Sequence, residues 1–559
     1  MVQAADIDNA LQAVSDGAAR RLLTDYFEAL LAEVHALREH VQSLRDEVNR
    51  LKGEQGKPDF KPGKPKGKDA QARSQDHSSE RERRKPGQRG KSSKAGRVAV
   101  DREQRLEVDR RILPADAVLK GYETVIVQDV RLVRENIRFT REKWYSPSEH
   151  QTYLASLPPG YKGQFGPRMK ALALTLAFGC NVTEQKMLGL FRGAGVPLSA
   201  GSLSGMLIKG HEAFHQEYTD LYRAGLESSP WQNTDHTATS VRGQAQNCQV
   251  VANPFYSVYA TTEKKDRLSI INVLRNRHRD NAPTTYLIDD WLLEHMEQFK
   301  LTGNVRRRLR RLPRGREIPE NEFHDLLKEH LPRLSEYHFV KLRDAAAIAA
   351  YHAQLVWPVV KLLNVDDAPQ FNLVTRERGL CWVHEGRRYK KLCPHLPVNR
   401  AILTKFLARF WAYYDGLLAY QHKPTAQGKR ALSAGFDKLF GTVTGYSALD
   451  EAIARSLGRK TDLLMVLVHP EIPLHNNAAE LAVRTRVRKR DASYQTWTAE
   501  GTRAWDTFMS IFDTCRKLGV SFHDYLLDRI SRAYAMPSLA SLIRERAAAF
   551  DLGASWNTS

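Results

Sequence analysis

The sequence predicts a multidomain α+β protein, and three changes of residue pattern along its 559 residues predict that class. A strict seven-residue repeat predicts a long helix over residues 23–51. Helical periodicity from about 167 to 225 gives way after Pro230 to alternation of period two, which is the pattern of β-strands. A chain of this length exceeds what one hydrophobic core usually organises, so several domains are expected.

The charge balance indicates a polyanionic partner. The formal net charge is +21 and the isoelectric point is about 9.7. An excess of positive charge favours nucleic acids, because phosphate contacts dominate non-specific affinity for them.

Membrane binding is the weaker interpretation, because no stretch approaches the ~20 apolar residues of a spanning helix, and the N-terminus lacks a secretory signal pattern. Five scattered cysteines fit a reducing cytosol. No glycine-rich phosphate loop ends in Lys-Ser or Lys-Thr, so an ATP-driven mechanism has no support.

Residues 23–51 predict a leucine zipper within an N-terminal dimerisation region, residues 1–52. β-Branched residues at heptad position a with leucine at position d favour a parallel two-stranded coiled coil. Glu33 can reach Arg38 of a partner helix, and Glu47 can reach Lys52. The alternative is an amphipathic helix packed on its own chain. Position a holds Phe27, Val34, Val41 and Val48, and position d holds Leu23, Leu30, Leu37, Leu44 and Leu51.

Residues 53–100 predict a disordered basic linker. From Gly53 to Val98 there are 14 Lys or Arg against 6 Asp or Glu, one aromatic residue and no leucine or isoleucine. Such a segment cannot bury enough apolar surface to offset its ordering entropy. It is either a solubilising spacer or a non-specific DNA tether, and both roles are compatible. A small β-containing module, residues 101–160, follows, with strands predicted at 122–130 and 134–139.

Residues 161–228 predict a helical region that resembles a helix-turn-helix. Helices are expected at 170–178, 183–192 and 199–208, with a turn at Gly193-Ala194-Gly195 and Thr183 as N-cap of the second helix. A small three-helix packing without DNA contacts would have the same pattern, so direct DNA reading by this region and a purely structural role both stay open.

Three consecutive strands, 233–241, 246–252 and 255–261, predict an antiparallel meander after Pro230, joined by Arg242-Gly243 and Asn253-Pro254. Asp235 lies on its first strand. Asp366 ends the apolar run 362–365, and Glu480 lies near the start of a helix. A carboxylate on a first strand, one at a later strand end and one on a closing helix is the arrangement of ribonuclease-H-like nucleotidyl transferases. Acidic oxygens in that arrangement can hold two Mg²⁺ ions roughly 4 Å apart.

Each carboxylate also has a purely structural interpretation. Asp235 could be an exposed strand residue. Asp366 and Asp367 could be turn residues, because Ala368-Pro369 follows. Glu480, three residues after Asn477, could be a capping-box glutamate. Taken singly, these interpretations are at least as strong as metal binding.

Four motifs in order carry a resemblance to the DDE transposases of the insertion-sequence-66 family. They are Asp235-His236-Thr237, Asp366-Asp367-Ala368-Pro369-Gln370-Phe371, Cys381-Trp382-Val383-His384 and Asn476-Asn477-Ala478-Ala479-Glu480-Leu481-Ala482-Val483-Arg484. The resemblance covers nearly the whole chain. It implies a ribonuclease-H-like α/β catalytic domain over residues 229–520, with helical insertions at about 276–354 and 385–470, and a C-terminal helical tail over 521–559. The family's zinc finger after the zipper looks degenerate or replaced here, because residues 101–160 contain no cysteine.

The resemblance implies a bacterial DNA transposase that cuts and joins strands at transposon ends. It places the catalytic and metal-binding triad on Asp235, Asp366 and Glu480, and favours Asp366 over Asp367. The implied cofactor is a pair of Mg²⁺ ions, for which Mn²⁺ can substitute. The implied partners are terminal inverted repeats, target DNA, a second copy of the chain or a higher oligomer through the zipper, and accessory transposition proteins. The implied location is the cytoplasm, at the nucleoid.

Basic residues near these carboxylates are the candidates for DNA contact. The cluster between 306 and 316 is either a backbone grip or a solvated loop, and we favour the grip. Arg484 and Arg488 share a helical face with Glu480, as phosphate contacts or as a surface salt-bridge face; Arg486, Lys489 and Arg490 are expected to extend that basic surface. The DNA-contact candidates are Arg306, Arg307, Arg308, Arg310, Arg311, Arg387, Arg388, Arg484 and Arg488.

Two other interpretations of function stay open at this point. One is a dimeric DNA-binding regulator with an inactive ribonuclease-H-like body, and the other is a structure-specific nuclease without strand transfer. Zinc binding by Cys381, His384, Cys393 and His395 is disfavoured, because their spacing does not match a standard finger.

Overall fold

The computed structural model describes residues 4–51, 99–114, 116–130, 132–279, 282–301 and 303–557. The linker predicted over 53–100 lies outside these residues except for its last two, and so does Lys52. The chain is mixed α+β, as predicted, and its core combines one mixed sheet with surrounding helices. Among the helices that the structure describes, none is long and apolar enough to cross a membrane.

The N-terminal helices α1 (Ala4–Gln12) and α2 (Gly17–Leu51) pack on the body of the same chain. α2 docks through heptad positions b and f, which lie away from the a/d seam. Its anchors lie in the first half of the helix. They are Arg21 to Asp450 at 3.0 Å, Asp25 to the Ser447 hydroxyl at 2.6 Å, and Glu28 to the backbone N–H of Leu396 and the Asn399 amide at 3.0 Å each.

Most of the a/d seam of α2 is exposed over the part whose side chains the structure describes, whereas Phe27 and Val34 are half-buried. Leu30 is 43% exposed, Leu37 57%, Val41 46% and Leu44 48%. Polar residues at positions b and f therefore hold α2 on its own chain, which is the packing that the alternative interpretation predicted, while most of the apolar seam faces solvent.

The module at 101–160 differs from its prediction. Neither 122–130 nor 134–139 forms a strand; the described residues there are irregular, and one hairpin, β1 (Lys143–Ser146) with β2 (Gln151–Leu154), follows. Val125, Val127 and Val130 are 73%, 81% and 91% exposed. Among the described residues, no strand lies beside this segment with which it could pair, and strand propensity requires such a partner.

The helical region is close to its prediction. α3 (Pro167–Leu174) continues as a π-helical turn to Gly179, and α4 (Glu184–Gly193), α5 (Ala200–Ile208) and α6 (Glu212–Glu227) follow. Ser199 caps α5 by accepting from the Ser202 N–H at 3.1 Å. Thr183 occupies the N-cap position of α4, but its side chain makes no capping hydrogen bond.

The predicted meander is present as β3 (Trp231–Val241), β4 (Gln244–Ala252) and β5 (Ser257–Thr262). Arg242 and Gly243 both have positive φ, 53° and 76°. This is the conformation that a two-residue hairpin turn requires, and glycine adopts it without steric cost.

The first insertion is not purely helical, which corrects the prediction for residues 276–354. Helix α7 (Arg267–Leu274) precedes it. The insertion contains β6 (Thr285–Leu287), α8 (Asp290–His295), α9 (Gly303–Leu309), β7 (Glu317–Pro319), α10 (Glu320–His330) and α11 (Glu336–Ala353), and β6 pairs antiparallel with β7.

Two short strands complete the sheet, β8 (Leu362–Val365) and β9 (Glu377–Leu380). The strand order is β5-β4-β3-β8-β9. β4 runs antiparallel to both of its neighbours, β3 and β5, whereas β8 runs parallel to both β3 and β9. β3 is therefore the central strand. The carboxyl end of β8 lies beside the middle of β3 and forms one edge of the sheet, called here the carboxyl edge.

The second insertion lies between the sheet and the closing helix. It contains α12 (Trp382–Lys390), α13 (Pro397–His422), α14 (Ala426–Phe440), α15 (Ser447–Leu457) and α16 (Lys460–Leu463). Trp382, Phe410, Phe436 and Phe440 form an aromatic core among these helices. The chain then returns to the sheet through α17 (Asn477–Ser493) and ends with α18 (Ala499–Leu518), α19 (Phe522–Ser531) and α20 (Leu539–Ala549).

Candidate catalytic site

The register of β3 and β8 brings Asp235 and Asp366 to equivalent positions. Asn233 lies beside Asn364 in the parallel ladder, and each aspartate is two residues further along its chain. Adjacent strands are about 4.8 Å apart, and residues two apart in a strand share a face. Asp235 and Asp366 are thus neighbours at the carboxyl edge, and Asp366 follows directly after the end of β8.

Glu480 reaches the same edge from the first turn of α17, where its side chain is only 9% exposed. The start of α17 is fixed by buried asparagines. Asn476 donates to the Thr234 carbonyl at 2.8 Å and accepts from the Asn233 amide at 2.8 Å. Asn364 donates to the carbonyls of Pro473 and His475 at 2.8 and 3.1 Å. These bonds connect the loop before α17 to both parallel strands.

The electrostatics of the site follow from this convergence. Burial raises the pKa of Asp235 to about 7, with the Asp366 and Glu480 carboxylates contributing in the same direction against a hydrogen bond from the His236 N–H. Glu480 Oε1 is buried and accepts no hydrogen bond from the described residues. A crowded carboxylate set of this kind, desolvated and under-satisfied, is suited to a cation.

The structure separates Asp366 from its neighbour Asp367. Asp366 contributes to the electrostatic environment of Asp235, His236 and His384. Asp367 points into a group of arginines and its side chain is 3% exposed. The arginines are Arg455 at 2.9 Å, Arg388 at 3.2 Å, Arg459 at 3.4 Å and Arg378 at 3.9 Å. Asp367 is therefore committed to ion pairs that join the insertion helices to the sheet.

Helix α12 presents His384 and Arg387 to Glu480. His384 Nδ1 is 3.5 Å from Glu480 Oε1, and Arg387 Nη2 is 3.6 Å from Glu480 Oε2. Arg387 also approaches His384 Nε2 at 3.4 Å. Potential ligand atoms of Cys381, His384 and Glu480 all lie within 4.8 Å of one another. His384 was not predicted to contact Glu480. The signal for its place in the site was its three-residue spacing from Cys381, at a strand-to-helix junction.

The predicted basic residues fall into different environments. Arg484 lies 3.8 Å from Glu480 and Arg488 is exposed on the same helix. Arg388 pairs with Asp367 and, at 2.9 Å, with Glu385. Among the cluster that begins at 306, Arg306 is half-buried, whereas Arg307, Arg308, Arg310 and Arg311 are exposed.

Arg486 and Lys489 do not belong to the basic surface, which corrects their prediction. They are 1% and 4% exposed. Arg486 lies 3.5 Å from Asp506, and Lys489 donates to the Ala177 carbonyl at 2.7 Å. Burial lowers the pKa of Lys489 to about 8. Helix α17 packs one side against the core, so its basic residues are divided between a buried side and an exposed side. Periodicity alone did not identify which side is buried.

A sequence model described as "Transposase IS66 family" matches residues 328–504, a span that includes Asp366 and Glu480. The chain is also 30% identical over 331 residues to the uncharacterized protein y4jO of Sinorhizobium fredii (strain NBRC 101917 / NGR234), covering 58% of this chain and all of that protein. The chain belongs to the IS66 family of transposases.

A second relative from the same strain of S. fredii matches a smaller part of the chain. The uncharacterized protein y4qI is 26% identical over 177 residues, which is 29% of this chain and 32% of that protein. No solved structure matches the chain. Membership of the IS66 family associates the chain with DNA transposition and suggests a DNA-processing enzyme.

Replacing Asn476 by alanine is expected to destabilise this IS66 protein by about 2–4 kcal/mol, because the Thr234 carbonyl and the Asn233 amide would each lose a buried partner. Denaturant unfolding followed by circular dichroism measures the change. Asn304→Ala, at an exposed asparagine, is the control; equal midpoints for the two variants would contradict the role given to Asn476.

The raised pKa of Asp235 predicts a pH-dependent stability. The folded-state pKa, about 7, exceeds the ~3.9 of an unfolded aspartate, so protonation of Asp235 favours the folded state. This contribution to the free energy of unfolding is fully present below about pH 4 and is lost as the pH rises to about 7. Between about pH 5 and pH 8 in chelator, the wild-type protein should lose about 2–3 kcal/mol relative to Asp235→Asn. Thermal unfolding at both pH values measures this difference.

Asp491→Asn, at an exposed aspartate of α17, provides the matched control for that titration. Its stability relative to the wild-type protein should not change over the same range. A pH-independent difference between the wild-type protein and Asp235→Asn would show that Asp235 titrates normally.

Proposed function

We propose that this chain is a DDE transposase that cleaves DNA at the ends of its insertion sequence and joins the freed ends to target DNA. The observation that carries the proposal is the convergence of Asp235, Asp366 and Glu480 at one edge of the sheet. The central strand, the neighbouring parallel strand and the closing helix each supply one carboxylate. This arrangement supports a ribonuclease-H-like core.

The residues at this edge fit divalent cations with oxygen ligands. Mg²⁺ prefers carboxylate oxygens. A bound cation would lower the raised pKa of Asp235 and would contact Glu480 Oε1, which accepts no hydrogen bond from the described residues. Asp235, Asp366 and Glu480 would hold a pair of Mg²⁺ ions, with Mn²⁺ as a substitute. When bound, the pair supplies positive charge at the attacking and leaving oxygens of a phosphodiester.

The chain's own residues account for positioning. Arg387 and Arg484, both beside Glu480 and partly exposed, would bind phosphate oxygens and hold the scissile phosphodiester in line with the attacking hydroxyl. Water supplies that hydroxyl in cleavage, and the freed 3′ end supplies it in joining. His384, 3.5 Å from Glu480, would maintain the orientation of that carboxylate.

The exposed seam of α2 supports dimerisation through a coiled coil. Most of its described a and d residues are exposed, while positions b and f contact the same chain. A second copy could therefore pair along the seam without displacing any of these contacts. Pairing of two chains would bring two transposon ends together.

Glu480→Gln is expected to reduce strand cleavage and joining at least about a thousandfold in Mg²⁺ while leaving DNA binding intact, because the amide keeps the shape of the side chain but loses its charge. Labelled oligonucleotides carrying the terminal sequence of the element measure all three steps. Cleavage without joining by the wild-type protein would indicate a nuclease, and binding alone a regulator.

Glu500→Gln, at an exposed glutamate of the next helix, is the control for that substitution and should retain full activity. Full activity of Glu480→Gln would contradict the proposed triad.

The basic cluster at 306–316 divides into two groups with different expected roles. Arg307, Arg308 and Arg311 line a groove of about 510 Å³ together with Arg333. Arg314 and Arg316 are ion-paired to Asp290 and Glu322 instead. The groove arginines retain the positive charge that a DNA backbone requires.

Replacing Arg307, Arg308 and Arg311 together by alanine should lower the salt dependence of duplex DNA binding, the slope of log K against log salt, by about 2–3. Replacing Arg314 and Arg316 should change it by less than about 1, because their charges are already neutralised. Fluorescence anisotropy at several salt concentrations gives the slopes. Equal losses for the two sets would contradict the division.

A further inference from the structure

The segment after α17 displays two aromatic side chains on a fixed backbone. Tyr494 is 78% exposed and Trp497 is 67% exposed. The two residues between them are bound to the β3–β4 hairpin. Gln495 Oε1 accepts from the Gly243 N–H at 2.7 Å and from the Ser240 hydroxyl at 3.1 Å, and the Thr496 carbonyl accepts from the Arg242 N–H at 2.8 Å.

Tyr494 also has a strained backbone. Its φ is 59° and its ψ is −67°, a combination that side chains with a Cβ rarely adopt. Strain of this kind persists only where the surrounding structure imposes it, and it concentrates at functional sites. Packing does not explain a bulky residue here, because most of the Tyr494 ring is in solvent. The aromatic ring therefore requires another explanation.

The position of the pair along α17 indicates what it would contact. At 1.5 Å per residue, Arg484, Arg488 and Tyr494 lie about 6, 12 and 21 Å beyond Glu480 along the helix. The first two are exposed arginines. A distance of about 21 Å corresponds to roughly six base-pair steps of duplex DNA at about 3.4 Å each. A strand that follows the arginines from the scissile phosphate would reach the aromatic pair.

We propose that Tyr494 and Trp497 form a stacking platform for nucleobases of the DNA bound along α17, about six base pairs from the cleaved bond. This inference rests on the proposed function, which supplies the DNA. Exposed aromatic rings stack on any base because every base has a π-face. Within a duplex, such contact requires a base step to open or one base to leave the helix. The anchored backbone allows the rings to stack with little further loss of conformational freedom.

A combined protein and DNA substitution tests the platform. The full-length chain carrying Glu480→Gln is bound to the terminal duplex of its element, with single abasic nucleotides placed about four to eight base pairs from the cleavage site. Trp497→Ala should weaken binding to intact DNA about tenfold, the loss of one stacked base. At the contacted position, an abasic nucleotide should reduce that effect below about twofold, because the stacking partner is absent already.

Two further variants separate stacking from folding. Tyr494→Gly should keep or raise the unfolding temperature, since glycine adopts a positive φ without strain, yet weaken DNA binding by a similar factor. Trp497→Phe should bind almost as well as the parent. Tyr337→Ala, at an exposed tyrosine of α11, should change neither property.

Unchanged DNA binding in Trp497→Ala and Tyr494→Gly would overturn the platform while leaving the proposed function in place. So would additive effects of the protein and abasic substitutions at every position, or a change in oligomeric state alone, which would assign the rings to a contact between chains. Failure of the Glu480→Gln parent to bind terminal DNA would instead contradict the proposed function, and the platform with it.

Discussion

The parallel pairing of β3 with β8 is the constraint on which the candidate site depends. It fixes Asp235 and Asp366 side by side through a register of only three residue pairs. The same two strands carry Asn233 and Asn364, whose buried amides reach the loop before α17. These hydrogen bonds therefore fix the position of α17 relative to the aligned strands β3 and β8. A shift of β8 by one residue would turn Asp366 to the face opposite Asp235 and break the Asn364 contacts at the same time.

The arginines around Asp367 extend this constraint to the second insertion. Arg388 comes from α12, whereas Arg455 and Arg459 come from α15 and the residues after it. All of them meet a carboxylate that directly follows Asp366 in the chain. Removing one of these arginines would leave the buried Asp367 carboxylate with fewer partners. The loss of folding free energy would then exceed what the ion pair itself contributes. The insertion helices and the carboxyl edge of the sheet are therefore expected to move as one body.

Local pattern predicted much of this structure. The long N-terminal helix, the meander with its Arg242-Gly243 turn, and the helices at 184–193 and 200–208 were predicted close to their observed bounds, because heptad repeats, alternation and turn residues act over short distances. The strands predicted at 122–130 and 134–139 were wrong, since strand propensity requires a partner that the segment lacks. The burial of Arg486 and Lys489 was not predicted, because it depends on α18 and on the π-helical turn that follows α3, which are distant in sequence.

The sequence indicated which residues could form the candidate site, but not how they come together. Motif order named the three carboxylates and favoured Asp366 over Asp367, but it gave no sign of the arginines around Asp367, which come from up to 92 residues further along the chain. The asparagine network and the approach of His384 to Glu480 are likewise contacts between distant segments. The periodicity of a sequence gives no information about contacts between distant segments.

The anchoring of α2 through Glu28 means that the N-terminal helix is not a detachable module. Glu28 accepts hydrogen bonds from the backbone N–H groups of His395 and Leu396 and from Asn399, and so caps the N-terminus of α13. Truncating the chain before α3 would leave those donors uncapped and an insertion helix frayed at its first turn. A shortened protein could then lose activity through damage to the catalytic body rather than through loss of pairing. Substitutions confined to the exposed leucines distinguish the two effects, whereas deletion confounds them.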